Sequence, residues 1–245
     1  MIKAITNSLL SVAFPQHCHI CNALVDEHAH GPACASCWSA TRVFTREDPT
    51  CLKCGNLLAA AAHVTAAQCR ECDGHLFDRA VAGGVYERAL AAIVLELKRT
   101  PHLPKRAGDL LLSAFGRLDN DEELNVIFPV PLSSKRRVER GFNQAEVIGR
   151  FISKHTGIAI DTSSLSRSKH TPMHRAAMDR KARDLTVRNA FAVTRPKLVE
   201  GRSVLLVDDI FTTGATASYC AKELKKAGAA SVKVLTLARA VRNGS

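Results

Sequence analysis
The sequence is poor in large amphipathic rings, with a single tryptophan and two tyrosines among 245 residues. That scarcity argues against an aromatic platform on which single strands or carbohydrate would stack. It also lacks any apolar run near the roughly 20 residues that a membrane-spanning helix needs. Residues 1–14 carry one lysine and a short apolar patch broken by Asn7 and Ser8, with no small-residue cleavage site, so no secretory signal is read there. Ile2, Ile5, Leu9 and Val12 fall at helical spacing, and residues 1–15 are expected to form a short helix packed on the body. A cytoplasmic protein is expected.

Acidic charge is in deficit too. The net charge is +11, which points to an anionic partner such as nucleic acid, a nucleotide or a phosphate-rich substrate. The imbalance is local. Up to His75 the acids outnumber Lys and Arg by one, so all of the excess lies from Leu76 onward. At 46% apolar content the chain can build a real core, and its length fits one large or two modest domains.

Eight of the nine cysteines form four Cys-x-x-Cys pairs, Cys18/Cys21, Cys34/Cys37, Cys51/Cys54 and Cys69/Cys72, with 12 residues between the first two pairs and 14 between the last two. Two such knuckles supply four thiolates to one tetrahedral ion, the geometry of a zinc ribbon. Even loop lengths favour sequential pairing into two fully coordinated, structural sites. Asn22 and Gly55, each just after a knuckle, tolerate the positive φ that turns N–H groups toward sulfur. Disulfides are disfavoured in a reducing cytosol. An iron–sulfur cluster fits the same spacing. His17, His19, His28, His30, His63 and His75 are read as bystanders, and Cys220 as a small buried filler.

The chain is organised around residues 203–216, Ser-Val-Leu-Leu-Val-Asp-Asp-Ile-Phe-Thr-Thr-Gly-Ala-Thr. Four apolar residues predict a strand buried on both faces, ending at Asp208-Asp209, with a helix over 217–227 stopped by Gly228. Between them, Gly214 lets the backbone come close while Thr212, Thr213 and Thr216 offer hydroxyls to a phosphate at a helix N-terminus. Two carboxylates beside that turn would repel a bare phosphate. They make sense if they grip sugar hydroxyls or Mg²⁺.

Earlier elements lead to a second anion site. Residues 77–86 read as a strand loosened by Gly83-Gly84, residues 89–98 and 103–118 as helices, and 119–123 as an acidic loop. Residues 125–128 read as a buried strand that ends in Pro129-Val130-Pro131-Leu132. A basic loop follows, with Lys135, Arg136, Arg137 and Arg140 at the same end of the sheet as the acids, where a diphosphate would be met.

Residues 203–216 resemble the phosphoribosyl-diphosphate (PRPP) motif of type I phosphoribosyltransferases. The resemblance implies that Asp208 and Asp209 hold the ribose hydroxyls, that Thr212, Thr213, Gly214, Ala215 and Thr216 hold the 5′-phosphate, and that Pro131, Lys135, Arg136, Arg137 and Arg140 meet the pyrophosphate. The order Cys-x-x-Cys ribbons, Pro-Val-Pro-Leu, Arg-Gly-Phe-Asn-Gln-Ala and PRPP motif is similar to the ComF family over nearly the whole chain. It implies a type I phosphoribosyltransferase-like α/β domain, a parallel sheet flanked by helices, over 76–245. Ahead of it lies a small double zinc ribbon over 16–75.

The family's link to DNA uptake implies single-stranded DNA and the uptake machinery as partners, with PRPP and Mg²⁺ in the site. Two departures stand out: Thr171-Pro172-Met173-His174 where members usually have Thr-Pro-x-Gln, and a blurred Arg183-Asp184-Leu185-Thr186 after it. Thr212 stands where purine-salvage relatives for hypoxanthine and guanine carry an acid, which disfavours a 6-oxopurine acceptor. Two functional classes follow: a binding protein for DNA handling that keeps the PRPP site, or a transferase displacing pyrophosphate at ribose C1.

Overall fold
The computed structural model describes residues 15–58, 69, 72, 74–118, 123–167 and 190–241. The helix expected over 1–15, most of the acidic loop and the departures near 171–186 lie outside the described residues. Five parallel strands form one sheet in the order β1-β7-β6-β2-β3: β1 Arg79–Val85, β2 Val126–Pro129, β3 Ala159–Ile160, β6 Ser203–Phe211 and β7 Ser231–Arg239. A hairpin of β4 Leu165–Arg167 and β5 Phe191–Val193 stands apart. Strands β2, β6 and β7 are buried along nearly all of their length because both of their faces are covered.

One face carries α2 Arg88–Glu96, α3 Lys105–Phe115 and α5 Gln144–Thr156, packed through Leu90, Leu111 and Ile148 against Leu205 and Val207. The other carries α6 Ala215–Lys226, whose Cys220, Ala221 and Leu224 meet Val204 and Leu206. Cys220 is fully buried, as a filler should be. The short α1 Ala35–Ser39 belongs to the first cysteine knuckle region. Among the described residues, no helix is long and apolar enough to cross a membrane.

The cysteine region packs tightly on the sheet. Val85 N–H donates to Arg42 C=O, Phe44 N–H to Gly83 C=O and Ala80 N–H to Lys53 C=O, so the inter-knuckle segment covers the edge strand β1. Covering an edge this way blocks strand-to-strand association. Gly84 has a different role from the loosening expected of it: a Cβ there would lie 2.5 Å from Arg42 C=O and 2.8 Å from Leu90 Cδ1. The missing side chain is what lets the segment close on the edge.

Candidate functional site
Strand β2 leads to α5 on one face, and its neighbour β6 leads to α6 on the other. The crossovers from β2 and β6 therefore leave in opposite directions, and the crevice at the carboxyl ends of these parallel strands is the switch point where open α/β sheets take ligands. Both expected anion segments converge there.

Strand β6 runs two residues past the acidic pair, to Phe211, whereas the sequence reading ended it at the acids. The reason is one-sided pairing. β2 stops at Pro129 opposite Val207, while β7 continues opposite Asp208, Ile210 and Phe211. The two acids have different surroundings, although their side chains stay within hydrogen-bonding reach of each other. Asp208 lines a small cavity with Thr212, Gly214 and Thr216. Asp209 is buried, with its Oδ2 3.5 Å from Lys98 Nζ. Asp208 thus sits at the turn, and its neighbour is held beside Lys98.

At about 30 Å³ the cavity admits a water or two. A sugar phosphate would have to lie across its mouth, beside exposed Thr212, or spread the turn. Gly214 caps α6 at φ 77°, and Thr213 Oγ1 accepts the Ala215 N–H at 3.4 Å. One threonine therefore shapes the turn while Thr212 and Thr216 remain beside the cavity.

The cationic segment is a short helix, α4 Ser134–Arg140, and not the loop expected of it. Lys, Arg and Glu are good helix formers, and Gly141 at φ 74° ends the run. α4 buries none of its side chains, and Val138 is 84% exposed. Lys135 and Arg137 face solvent near Glu139 and Glu146, and Arg140 donates to Gln144. Arg136 is half-buried: desolvation and then Arg140 lower its pKa, while the Glu139 and, less, the Asp209 charges oppose them. Pro131 lies partly buried just ahead of the helix. Asn143 fixes the exit, donating to Val130 C=O and accepting from Ala145 N–H.

Two residues were not legible as site groups. Lys98 read as part of a helix stop, and it reaches Asp209 from beyond α2. Arg167 lies at the end of β4, with burial and then Arg136 lowering its pKa while Cys220 and Asp208 oppose them. Burial and the nearby Asp209 push the Asp208 carboxyl well up, with Lys98 pulling the other way. Lys98 thus pairs with Asp209, and Arg136 and Arg167 lie close enough to feel the charges of the acids, cations that a diphosphate could recruit. Lys98→Met strands a buried carboxylate and should cost about 2 kcal/mol after allowance for its part exposure. A thermal melt checks this, and adding Asp209→Asn should restore most of the loss. A Lys98→Met protein melting with its parent would make the pair incidental.

The thiols resolve into the two sequential tetrads, Cys18/Cys21/Cys34/Cys37 and Cys51/Cys54/Cys69/Cys72, with the sulfurs of each all within 4.8 Å of one another. The Cys21–Cys34, Cys51–Cys72 and Cys54–Cys69 sulfurs lie 3.6, 3.6 and 3.4 Å apart. A tetrahedral ion with Zn–S near 2.3 Å needs edges of about 3.8 Å, whereas a disulfide would need about 2.05 Å. Asn22 and Gly55 take φ 60° and 69°, as their positions required.

The Ser36 hydroxyl and the Cys37 N–H bring Cys34 down to about 6, and burial with neighbouring thiols pushes Cys37 up to about 12. In the second tetrad burial opposes ionisation of Cys51, yet N–H groups of Cys54, Cys69 and Lys53 bring it to about 7. Burial raises Cys72 to about 12. Four thiolates this close need a dication to ionise together, and the donor set fits structural zinc.

The Double zinc ribbon domain family matches residues 9–75, and the Phosphoribosyl transferase domain family matches residues 145–244. The chain is 30% identical over 215 residues to Competence protein F of Haemophilus influenzae, covering 84% of this chain and 90% of that protein. It is 29% identical over 215 residues to DNA utilization protein YhgH of Escherichia coli, covering 86% and 91%. Competence protein ComFC of Bacillus subtilis is 33% identical over 131 residues, 52% of this chain and 49% of that protein.

Proposed function
This chain belongs to the ComF family, and from that premise we propose that its sheet domain binds PRPP with Mg²⁺ at the β2–β6 crevice, in a cytoplasmic protein that serves DNA uptake. The division of labour is a zinc-stapled support over 16–75 and a phosphoribosyl-binding body over 76–245. One observation carries the reading: an acid and a threonine-lined, left-handed-glycine turn share a cavity at the switch point, with Lys98 3.5 Å from the neighbouring acid. Asp208 and Asp209 are the residues that would hold Mg²⁺. The first is a carboxyl in need of positive charge, and the second, whose buried Oδ2 lies 3.5 Å from Lys98 Nζ, would exchange that ion pair for the metal. The ion supplies charge neutralisation for the diphosphate.

The names of the relatives, competence and DNA utilization, favour a DNA-handling role over metabolic turnover. Exposed Lys135 and Arg137 give α4 an outward cationic face suited to a phosphate backbone. Binding of a single-stranded oligonucleotide, followed by anisotropy, should weaken steeply with salt. Reversing both charges should lower the slope of log affinity against log salt by about 1.4, at roughly 0.7 per phosphate contact. An unchanged slope would remove α4 from the DNA surface. Pyrophosphate release with a panel of bases and amines decides between binding and turnover, and none is expected.

A further inference from the structure
The second cysteine tetrad and the phosphate turn are wired together at two points. His75 N–H donates to Cys72 C=O at 3.0 Å, and the next N–H, of Leu76, donates to Ser218 Oγ in the first turn of α6 at 3.0 Å. The His75 ring stacks on Phe77 at 4.9 Å and meets Phe211 edge-on at 6.1 Å. It also covers Gly214: a Cβ there would lie 2.7 Å from His75 Cε1 and Nε2 and 2.6 Å from Phe211 Cζ. From the other side, Arg239 donates to Cys54 C=O, places Nη2 3.6 Å from Cys54 Sγ, and lays its guanidinium 4.4 Å above the Phe211 ring. Phe211 enters the turn and Gly214 is its left-handed pivot. Each is therefore held by a group fastened to a ligand of the second tetrad. The first tetrad packs on the opposite face, with Trp38, Leu90 and Leu111.

We infer that the second metal site is the rear support of the phosphate turn, with His75 as the positioning residue that carries its state to Gly214. The inference rests on reading residues 212–216 as the phosphate-binding turn. A metal-fixed wall behind the turn restricts the conformations that it samples. Coupling of this kind is reciprocal, so a ligand on the turn should also slow release of the second metal.

Amide hydrogen exchange over 212–216 in the full zinc-loaded chain tests this without any ligand. Cys54→Ser should speed exchange there by about tenfold or more, within the range of ordinary coupling. Cys21→Ser should cost one zinc at the first site and leave the turn's protection as it was. His75→Ala should keep two zincs per chain and still loosen the turn. His75→Phe, which restores a ring over Gly214 and against Phe77, should bring protection back. Should Cys54→Ser fail to fold, His75→Ala decides alone: two bound zincs with parental exchange rates would overturn the inference. PRPP titrated into the parent chain is a separate arm, and silence there would refute the ligand while leaving the exchange result to judge the coupling.

Discussion
Stripping both metals with a strong chelator is expected to lower the melting temperature by more than about 10 °C and to make the protein aggregate. Structural zinc contributes about 10–16 kcal/mol to finger-sized peptides, comparable with the 5–15 kcal/mol that holds a whole domain together. At about 2–4 °C per kcal/mol for a chain of this size, losing even a fraction of that is a large shift. The damage should spread because Cys51, Cys54 and Cys72 belong to the same core cluster as Phe128, Val204 and Leu224. The ribbon backbone also covers β1, and its loss would expose an unpaired edge. Acid should act in the same direction, since protons compete with the metal for thiolates. Melts followed by circular dichroism and light scattering, with and without chelator, measure it. Parental melting after verified metal removal would show the tetrads to be ornaments on an independent fold.

Asp208→Asn should raise the melting temperature at pH 7 while abolishing PRPP binding. The folded carboxyl has its pKa raised by burial and by Asp209, so the native state holds its proton more tightly than the unfolded chain does. Its stability contribution is then greatest below the unfolded pKa, and is lost as pH rises toward the raised folded value. At neutral pH the charged form is a liability that asparagine removes, and an amide oxygen can still accept the Asp209 N–H that Asp208 Oδ1 accepts at 2.9 Å. A gain of a few degrees is expected, at about 2–4 °C per kcal/mol. It should shrink as pH falls toward 4, where the parental carboxyl is protonated. A variant less stable than its parent at pH 7 would mean that Asp208 is already satisfied by its neighbours and needs no ligand.

Much of this was legible in the residues. Apolar runs named β2 and β6, Cys-x-x-Cys spacing named both tetrads, and the small turn after the acids placed α6. Local pattern carries those features. The acidic pair was harder: β7 continues beyond β2 and extends the strand through the pair, a fact of register between distant segments. Lys98 and Arg167 reach the acids only through the tertiary path of the chain. His75 looked idle beside eight cysteines, and only the packing of Phe77, Phe211 and Gly214 gives it a place. The cationic run folded as α4 because helix propensity and the Gly141 stop act locally, a signal that the charge count had obscured.

Calorimetric titration of PRPP with Mg²⁺ into the zinc-loaded chain, repeated on Asp208→Ala/Asp209→Ala, is the most direct test of the phosphoribosyl site. Binding heat is expected for the parent and none for the double variant. Equal heats in the two proteins, or no heat in the parent, would contradict a phosphoribosyl site at the β2–β6 crevice.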